Sequence, residues 1–422
     1  MTVFHGWASR VAVSGMALST CLLAGAAPLR AQIAPPFAQL FQQTENAPRQ
    51  IELQAEADKA AGLARQAHAR PNPTVSLMAE NVAGERPYDA FDRSENTFQI
   101  NQPIELGGKR SARIAAGQAS AEAAKARARE GRLTFAYDLA RAYAAAEIAD
   151  RRIDLAQDEV EEAEADLKAA RALVQAGKEA RLRSLQAETE ANAMRAMLDT
   201  AKAERVGAYA RLSALSGQSA AFTGLAEPLL ARLDAQPGYG PADPQQSASF
   251  LTAKADSEAA MHRVTLARRQ AVPDLTVSVG LRRLEIDNAN ALVAGISLPF
   301  PLFDRNRGNI DAAQADLRGA EARKAALLLE AEAEIQASLA LNEAADARAI
   351  AAGRTLRTAE ESYRLARIAY EAGKSPLIEL LAARHGLGTA RGVVLDAAAA
   401  RFDARARLAR LSGRTITGEE VQ

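Results

Sequence analysis

Ile114-Ala115-Ala116-Gly117-Gln118-Ala119 recurs 196 positions later as Ile310-Asp311-Ala312-Ala313-Gln314-Ala315, and that recurrence decides how the chain is read. The same offset carries Ala176-Gly177-Lys178 onto Ala372-Gly373-Lys374 and Arg211-Leu212 onto Arg407-Leu408. It also carries Leu215-Ser216-Gly217 onto Leu411-Ser412-Gly413. The register holds without a gap for about a hundred residues, far beyond the length of a solenoid unit, so a whole supersecondary assembly is duplicated.

Working outward from the repeat, each copy opens with a helical stretch, continues through two strand-like segments and ends in a very long helical run. Val75, Leu77 and Ala79 alternate with Thr74, Ser76 and Met78; Phe98 and Ile100 alternate with Thr97, Gln99 and Asn101. In the second copy Leu275, Val277, Val279 and Leu281 alternate with Thr276, Ser278, Gly280 and Arg282, and Ala294, Ile296 and Leu298 with Val293, Gly295 and Ser297. Period two gives strands with one apolar and one polar face. Pro73, Pro103, Pro273 and Pro299 bracket them, as suits strand ends. The runs near 109–175 and 308–371 are rich in Ala, Glu, Arg, Leu and Lys and contain no proline. At 1.5 Å per residue each spans roughly 100 Å, too long for a compact domain. Their apolar stripe is thin and mostly alanine, suited to close coiled-coil packing. Gly177 and Gly373 are expected C-cap positions. Return helices are expected over 179–215 and 376–411, with Pro376 in a first helical turn. Each copy is thus a strand pair on a long antiparallel helical hairpin. The expected organisation is a signal peptide over 1–31, a first repeat over 32–215, a loop-rich connector over 216–246, a second repeat over 247–413 and a tail over 414–422.

The 422 residues carry zero formal net charge, so the basic footprint of a nucleic-acid partner is missing. Arg10 followed by the apolar run 11–27 and small residues reads as an export leader, with cleavage near Ala27 or Ala31. No later stretch approaches the ~20 apolar residues of a membrane helix. Cys21 is the only cysteine, which excludes an intramolecular disulfide; it is read as part of the leader, with lipid attachment as the alternative. The strands have the roughly 9–11 residues of tilted membrane strands, yet four strands cannot close a barrel, which takes at least about eight. An open edge in lipid leaves unpaired backbone groups at several kcal/mol each. Several chains must therefore contribute.

Arg70-Pro71-Asn72-Pro73 enters the first strand, and Gln102-Pro103-Ile104-Glu105-Leu106-Gly107-Gly108-Lys109-Arg110 leaves the second. The counterpart in the second copy is Leu298-Pro299-Phe300-Pro301-Leu302-Phe303-Asp304-Arg305-Asn306-Arg307-Gly308-Asn309. In these stretches the chain resembles the TolC family of outer-membrane factors across nearly all of its mature length, and within it the CzcC-like branch of heavy-metal efflux. The resemblance implies a mainly α fold with a membrane β-barrel: a homotrimer with a 12-stranded outer-membrane barrel continued by a 12-helix periplasmic α-barrel. It implies outer-membrane localisation in a Gram-negative cell, surrounding outer-membrane lipid, and two partners, a periplasmic adaptor protein and an inner-membrane proton-driven pump. The expected function is a passive exit duct for divalent cations of the cobalt, zinc and cadmium type. A duct for drugs or a secreted protein, and a periplasmic structural coiled coil, remain alternatives.

No catalytic constellation is present, and no cofactor or metal site is expected. The histidines outside the leader, His68, His262 and His385, lie far apart at unlike repeat positions, whereas a selective transition-metal site wants clustered His or Cys. Glu159, Glu161, Glu162, Glu164 and Asp166 read either as a lumenal surface or as an ordinary solvated face. The segment 304–309 reads as a strand-to-helix turn, as do Gly107 and Gly108. By the resemblance, the hairpin ends at 176–185 and 372–381 form the aperture and the partner contact, which singles out Gly177, Lys178, Arg183, Gly373, Lys374 and Glu379. Arg183 and Glu379 are repeat equivalents, 196 apart, and are expected near one another on neighbouring hairpins. Val75, Leu77, Phe98, Ile100, Val277, Val279, Ile296 and Leu298 are expected to face lipid, and Gln99, Asn101, Thr276 and Ser278 the channel.

Overall fold

In a computed structural model, residues 32–88, 91–234 and 242–421 are described. The leader with Cys21, and residues 235–241 of the connector, lie outside them. The first copy holds β1 (Gln32–Ala34), α1 (Phe37–Gln43), α2 (Pro48–Ala67), β2 (Thr74–Glu80), β3 (Glu95–Ile104), α3 (Lys109–Gln175) and α4 (Arg181–Leu215). Then come β4 (Phe222–Leu225) and α5 (Leu229–Asp234). The second copy holds α6 (Ala248–Gln270), β5 (Leu275–Leu284), β6 (Ala289–Ser297), α7 (Arg307–Glu371) and α8 (Leu377–Leu411). The two long helices run where their composition places them, within a residue at each end. The return helices start slightly later than expected: α4 at Arg181, and α8 at Leu377 with Pro376 as its extended N-cap.

The strands form one antiparallel sheet in the order β2-β3-β5-β6, so β2 and β6 are its edges. The helices below it follow the same lateral order. Near the sheet α3 lies between α2 and α6, with α7 beyond α6; toward the far end α3 lies between α4 and α8, with α7 beyond α8. Burial follows from this. The central α3 buries side chains from Ala112 to Ala170, most of them alanine. The edge helix α7, of nearly equal length, buries only Ala331, Ile335, Ser338, Ala345, Ala352, Tyr363 and Tyr370. Exposed Leu329, Leu341, Ile350, Leu365 and Ile368 mark the face of α7 without a neighbour. Sheet and helical layer thus end in open edges on both flanks.

The connector is more ordered than its proline and glycine content implied. β4 pairs in parallel with β1, and both pack with α1 and α5 around the middle of α3 and the C-terminal ends of α4 and α8. Phe37, Leu40, Phe135, Leu139, Tyr143, Tyr209, Leu212, Phe222 and Phe402 build this core. Tyr143 donates to the Glu227 carbonyl at 2.8 Å, and burial pushes its phenol up to about 12. Buried Glu147 accepts from the backbone N–H groups of Leu229 and Leu230 at 2.7 and 2.9 Å, capping α5. The C-terminal tail folds back as well: Ile416 and Val421 are buried, and Arg129 donates to the Val421 carbonyl at 3.0 Å. Among the described residues no helix is long and apolar enough to cross a membrane.

Candidate functional site

The helical tips and the sheet are the two ends of the molecule. At the tip, α3 and α7 stop by the same device. Gly177 (φ 68°) and Gly373 (φ 69°) take the left-handed conformation that a side chain disfavours. Lys178 N–H then bonds Leu173 O at 2.9 Å and Gly177 N–H bonds Val174 O at 3.1 Å. The equivalent bonds, Lys374 to Ala369 and Gly373 to Tyr370, are 2.8 and 2.9 Å. These paired bonds satisfy the last carbonyls of each helix and turn the chain sharply.

Within the protomer Arg183 and Glu379 do not meet. Arg183 lies 3.9 Å from Glu179 on its own hairpin and donates to Gln186 at 3.1 Å. Glu379 sits exposed in the first turn of α8, with no ion pair inside the protomer among the described residues, between the buried Leu377 and Leu380. Lys178 and Lys374 are exposed.

Just behind the tip the two hairpins are joined by a polar knot that the sequence did not reveal. An apolar layer of Leu167, Ala170, Ala187, Ala191, Tyr363, Tyr370, Leu377, Leu380 and Leu387 surrounds it. Arg384 of α8, with 5% of its side chain exposed, lies 3.7 Å from Asp166 of α3 and 2.8 Å from Glu190 of α4. Burial pushes the Asp166 carboxyl up to about 6, against the opposing pull of Arg384 and Arg367. Tyr363, buried beside the same carboxylate, is pushed up to about 12 by burial and by the charge of Asp166. Arg391 of α8 reaches Glu162 of α3 at 3.1 Å, adding a second tie. Glu164 pairs with Arg195 at 2.7 Å, Glu161 is exposed, and burial raises Glu159. The five carboxylates are therefore not one surface: Asp166 belongs to the interior because it points across at α8, while its neighbours fan around the helix.

The sheet register sorts the strand residues. Val75 pairs with Ile100, which pairs with Val279; Leu77 pairs with Phe98; Val277 pairs with Gln102 and Ile296. By alternation all these share one face, and Leu298 continues it just past β6. On that face Val75, Leu77, Phe98, Ile100, Val279, Ile296 and Leu298 are exposed, and Val277 is half-buried. Gln99, Asn101, Thr276 and Ser278 share the opposite face, where Asn101 donates to Ser76 at 3.1 Å and Ser278 to the Gly295 carbonyl at 3.1 Å. At the helix end of the sheet Lys109 pairs with Asp274 at 2.7 Å, and Arg113 pairs with Glu105. Asn306 (φ 57°) caps α7 from a turn in which Asp304 accepts its N–H at 2.9 Å, so this segment acts as a turn. His68 and His385 are exposed and His262 is half-buried; among the described residues no group of three or more His, Cys, Asp or Glu is placed to hold a metal ion.

A four-stranded sheet with one apolar and one polar face, carried on helical staves ~100 Å long, defines a protomer of a tubular outer-membrane channel. The chain belongs to the outer membrane efflux protein family, whose description it matches over residues 42–218 and 244–414. It is 40% identical over 396 residues to the nickel-cobalt-cadmium resistance protein NccC of Alcaligenes xylosoxydans xylosoxydans, covering 93% of this chain and 90% of that one. The cobalt-zinc-cadmium resistance protein CzcC of Cupriavidus metallidurans is 30% identical, with 85% of each chain covered. Among solved structures the outer membrane protein VceC of Vibrio cholerae superposes with a TM-score of 0.73 at 21% identity, over 91% of this chain and 96% of that one. The MtrE outer membrane channel of Neisseria gonorrhoeae gives 0.72 at 19% identity, over 92% and 90%. The protein resides in the outer membrane and has the fold of these channels.

Proposed function

We propose that three copies of this chain close into one passive tube that carries divalent heavy-metal cations across the outer membrane, fed by a proton-driven inner-membrane pump through a periplasmic adaptor. The observation that carries the cargo is the 40% identity, over nearly the whole of both chains, to a protein named for nickel, cobalt and cadmium resistance. Closure is supported by the edges: β2 and β6 each offer an unpaired row of backbone groups, which lipid does not tolerate, and three times four strands makes a barrel. In that barrel the face bearing Val75, Leu77, Phe98, Ile100, Val277, Val279, Ile296 and Leu298 meets lipid. Gln99, Asn101, Thr276 and Ser278 meet the channel. The tips with Gly177, Lys178, Arg183, Gly373, Lys374 and Glu379 form the aperture and the docking surface. Arg183 and Glu379, unpaired with one another inside a protomer, are then free to meet between neighbours. The test is a deletion strain, complemented with the wild-type gene and challenged with nickel, cobalt, cadmium, zinc and a drug panel. The proposal expects lost metal tolerance with drug tolerance unchanged. Loss of drug tolerance alone would keep the duct and overturn the cargo.

A further inference from the structure

We propose that Arg282, Glu80 and Glu95 form a charged collar just inside the outer mouth of the barrel, and that this collar sets how strongly the exit favours cations. The inference rests on the duct reading and adds to it an element of selectivity.

The collar's height follows from the register. Glu80, Glu95 and Leu284 are paired across β2, β3 and β5 on the last rung of the sheet, and Arg282 pairs with Thr97 two residues further in. The helices α2, α3, α6 and α7 attach at the opposite ends of their strands, so this rung is the one furthest from the helical tube. Its face follows from parity. Glu80, Glu95, Thr97 and Arg282 alternate in step with Gln99, Asn101 and Ser278 and out of step with Val75, Phe98 and Val279. In a membrane barrel the polar face is the lumen.

One side chain organises the cluster. The guanidinium of Arg282 lies 2.8 Å from Glu95 and 3.1 Å from Glu80, and its Nε donates to Thr97 at 3.0 Å. It thereby ties β5 to both β3 and β2. Two carboxylates against one guanidinium leave one net negative charge per protomer, and three around a closed ring. The three side chains are 28–44% exposed, so the charges reach the water of the channel. Arg283 does not cancel them, because it lies on the other face and engages Glu285 and Asn288. A lumen lined by one sign of charge in a low-dielectric wall concentrates counter-ions. Screening over about 8 Å at physiological salt confines the effect to the neighbourhood of the wall and strengthens it as salt is lowered.

Planar-bilayer recordings of the purified protein test the collar, with hexaamminecobalt(III) as a blocking probe added to the barrel side or to the helical side. Arg282→Gln is expected to tighten barrel-side block several-fold. Glu80→Gln combined with Glu95→Gln is expected to weaken it several-fold, with helical-side block unchanged in both. Arg282→Lys, which keeps the charge but loses the fork, is expected to stay near wild type and guards against a variant that fails to assemble. Equal barrel-side block in all assembled variants would overturn the collar and leave Arg282 as a strand tie. A wild-type protein that never conducts would instead overturn the duct reading beneath it.

Discussion

Replacing Arg384 by methionine removes the cation buried between the two hairpins and leaves Asp166 without its counter-ion. Asp166 has 5% of its side chain exposed, so water does not replace the lost guanidinium. Breaking a buried pair from one side costs about 3–5 kcal/mol. The folded protein has one escape, which is to protonate Asp166. Relative to the wild type that costs about 1.36 kcal/mol for each pH unit above the folded value of about 6. The escape caps the loss from the stranded charge at roughly 3 kcal/mol at pH 8 and leaves almost none at pH 5, where Asp166 is already mostly protonated. A penalty of up to about 3 kcal/mol is therefore expected at pH 8 and a much smaller one at pH 5. The wild type shows the same group with the opposite sign of habit for an acid. Its folded pKa, about 6, lies above the ordinary value, so stability from protonation is complete below 3.8 and is lost as pH rises through 6. Asp166→Leu in the Arg384→Met background should recover much of the loss, because the buried carboxylate is gone and Glu190, the other partner of Arg384, is one-third exposed to water. Urea midpoints by far-ultraviolet circular dichroism, measured at pH 5 and pH 8 for the single and double variants, decide the matter. A penalty for Arg384→Met that is equal at the two pH values, or a double variant less stable than the single, would refute the reasoning.

Three further expectations use other parts of the molecule. Gly386→Ala and Gly392→Ala in α8 should each raise the urea midpoint by the equivalent of about 1 kcal/mol, since a new methyl meets nothing within 4 Å at either site. Gly388→Ala should gain less, because its methyl would fall 2.4 Å from the Glu159 carboxylate and displace it. Val277→Arg on the apolar sheet face should cost about 2–4 kcal/mol and lower the yield of assembled trimer on unheated gels, while Ser278→Arg on the polar face should assemble; the reverse outcome would invert the two faces. Glu379→Arg should raise conductance and reduce cation preference in planar bilayers by setting like charges against Arg183; unchanged values would leave the tip as a docking surface alone. An exposed pair is worth only about 0–1 kcal/mol, small enough for a partner to undo.

The long helices and the strands were legible because each repeats one local signal many times. Residues 109–175 keep helix-forming composition throughout, and the period-two alternation of Phe98 to Asn101 survives intact as one apolar and one polar face. The turns were legible for the same reason, since Gly177 and Gly373 sit at the same step of both copies and do the same work. The polar knot was hidden because it depends on α8 meeting the α3–α4 hairpin, which is far from it in sequence. Arg384 closes on Asp166 and Glu190 across more than 190 residues, and neither carboxylate differs locally from the charged residues beside it. One trace was available: Arg384 interrupts the apolar run Leu380-Leu381-Ala382-Ala383, and its repeat equivalent is Glu188, of opposite charge. The order in the connector was equally non-local. Phe222–Leu225 becomes a strand only because Gln32–Ala34, nearly the whole first repeat away, lies beside it. The collar at Arg282 was concealed by register: only strand pairing brings Glu80 and Glu95 to the same rung, and parity then sets them on the polar face with Arg282.

The central claim is that the open edges of the sheet close on copies of the chain, three to a ring. It is tested most directly by edge-strand crosslinking in outer-membrane preparations. Cys21 is replaced, and cysteine pairs are introduced between β2 (Val75 or Leu77) and β6 (Leu292 or Ala294), all on one face of the sheet. After oxidation, a closed ring must give a covalent trimer and nothing larger on non-reducing gels, for the pair whose register matches. Monomers for every pair, or a ladder continuing past three, would contradict the account.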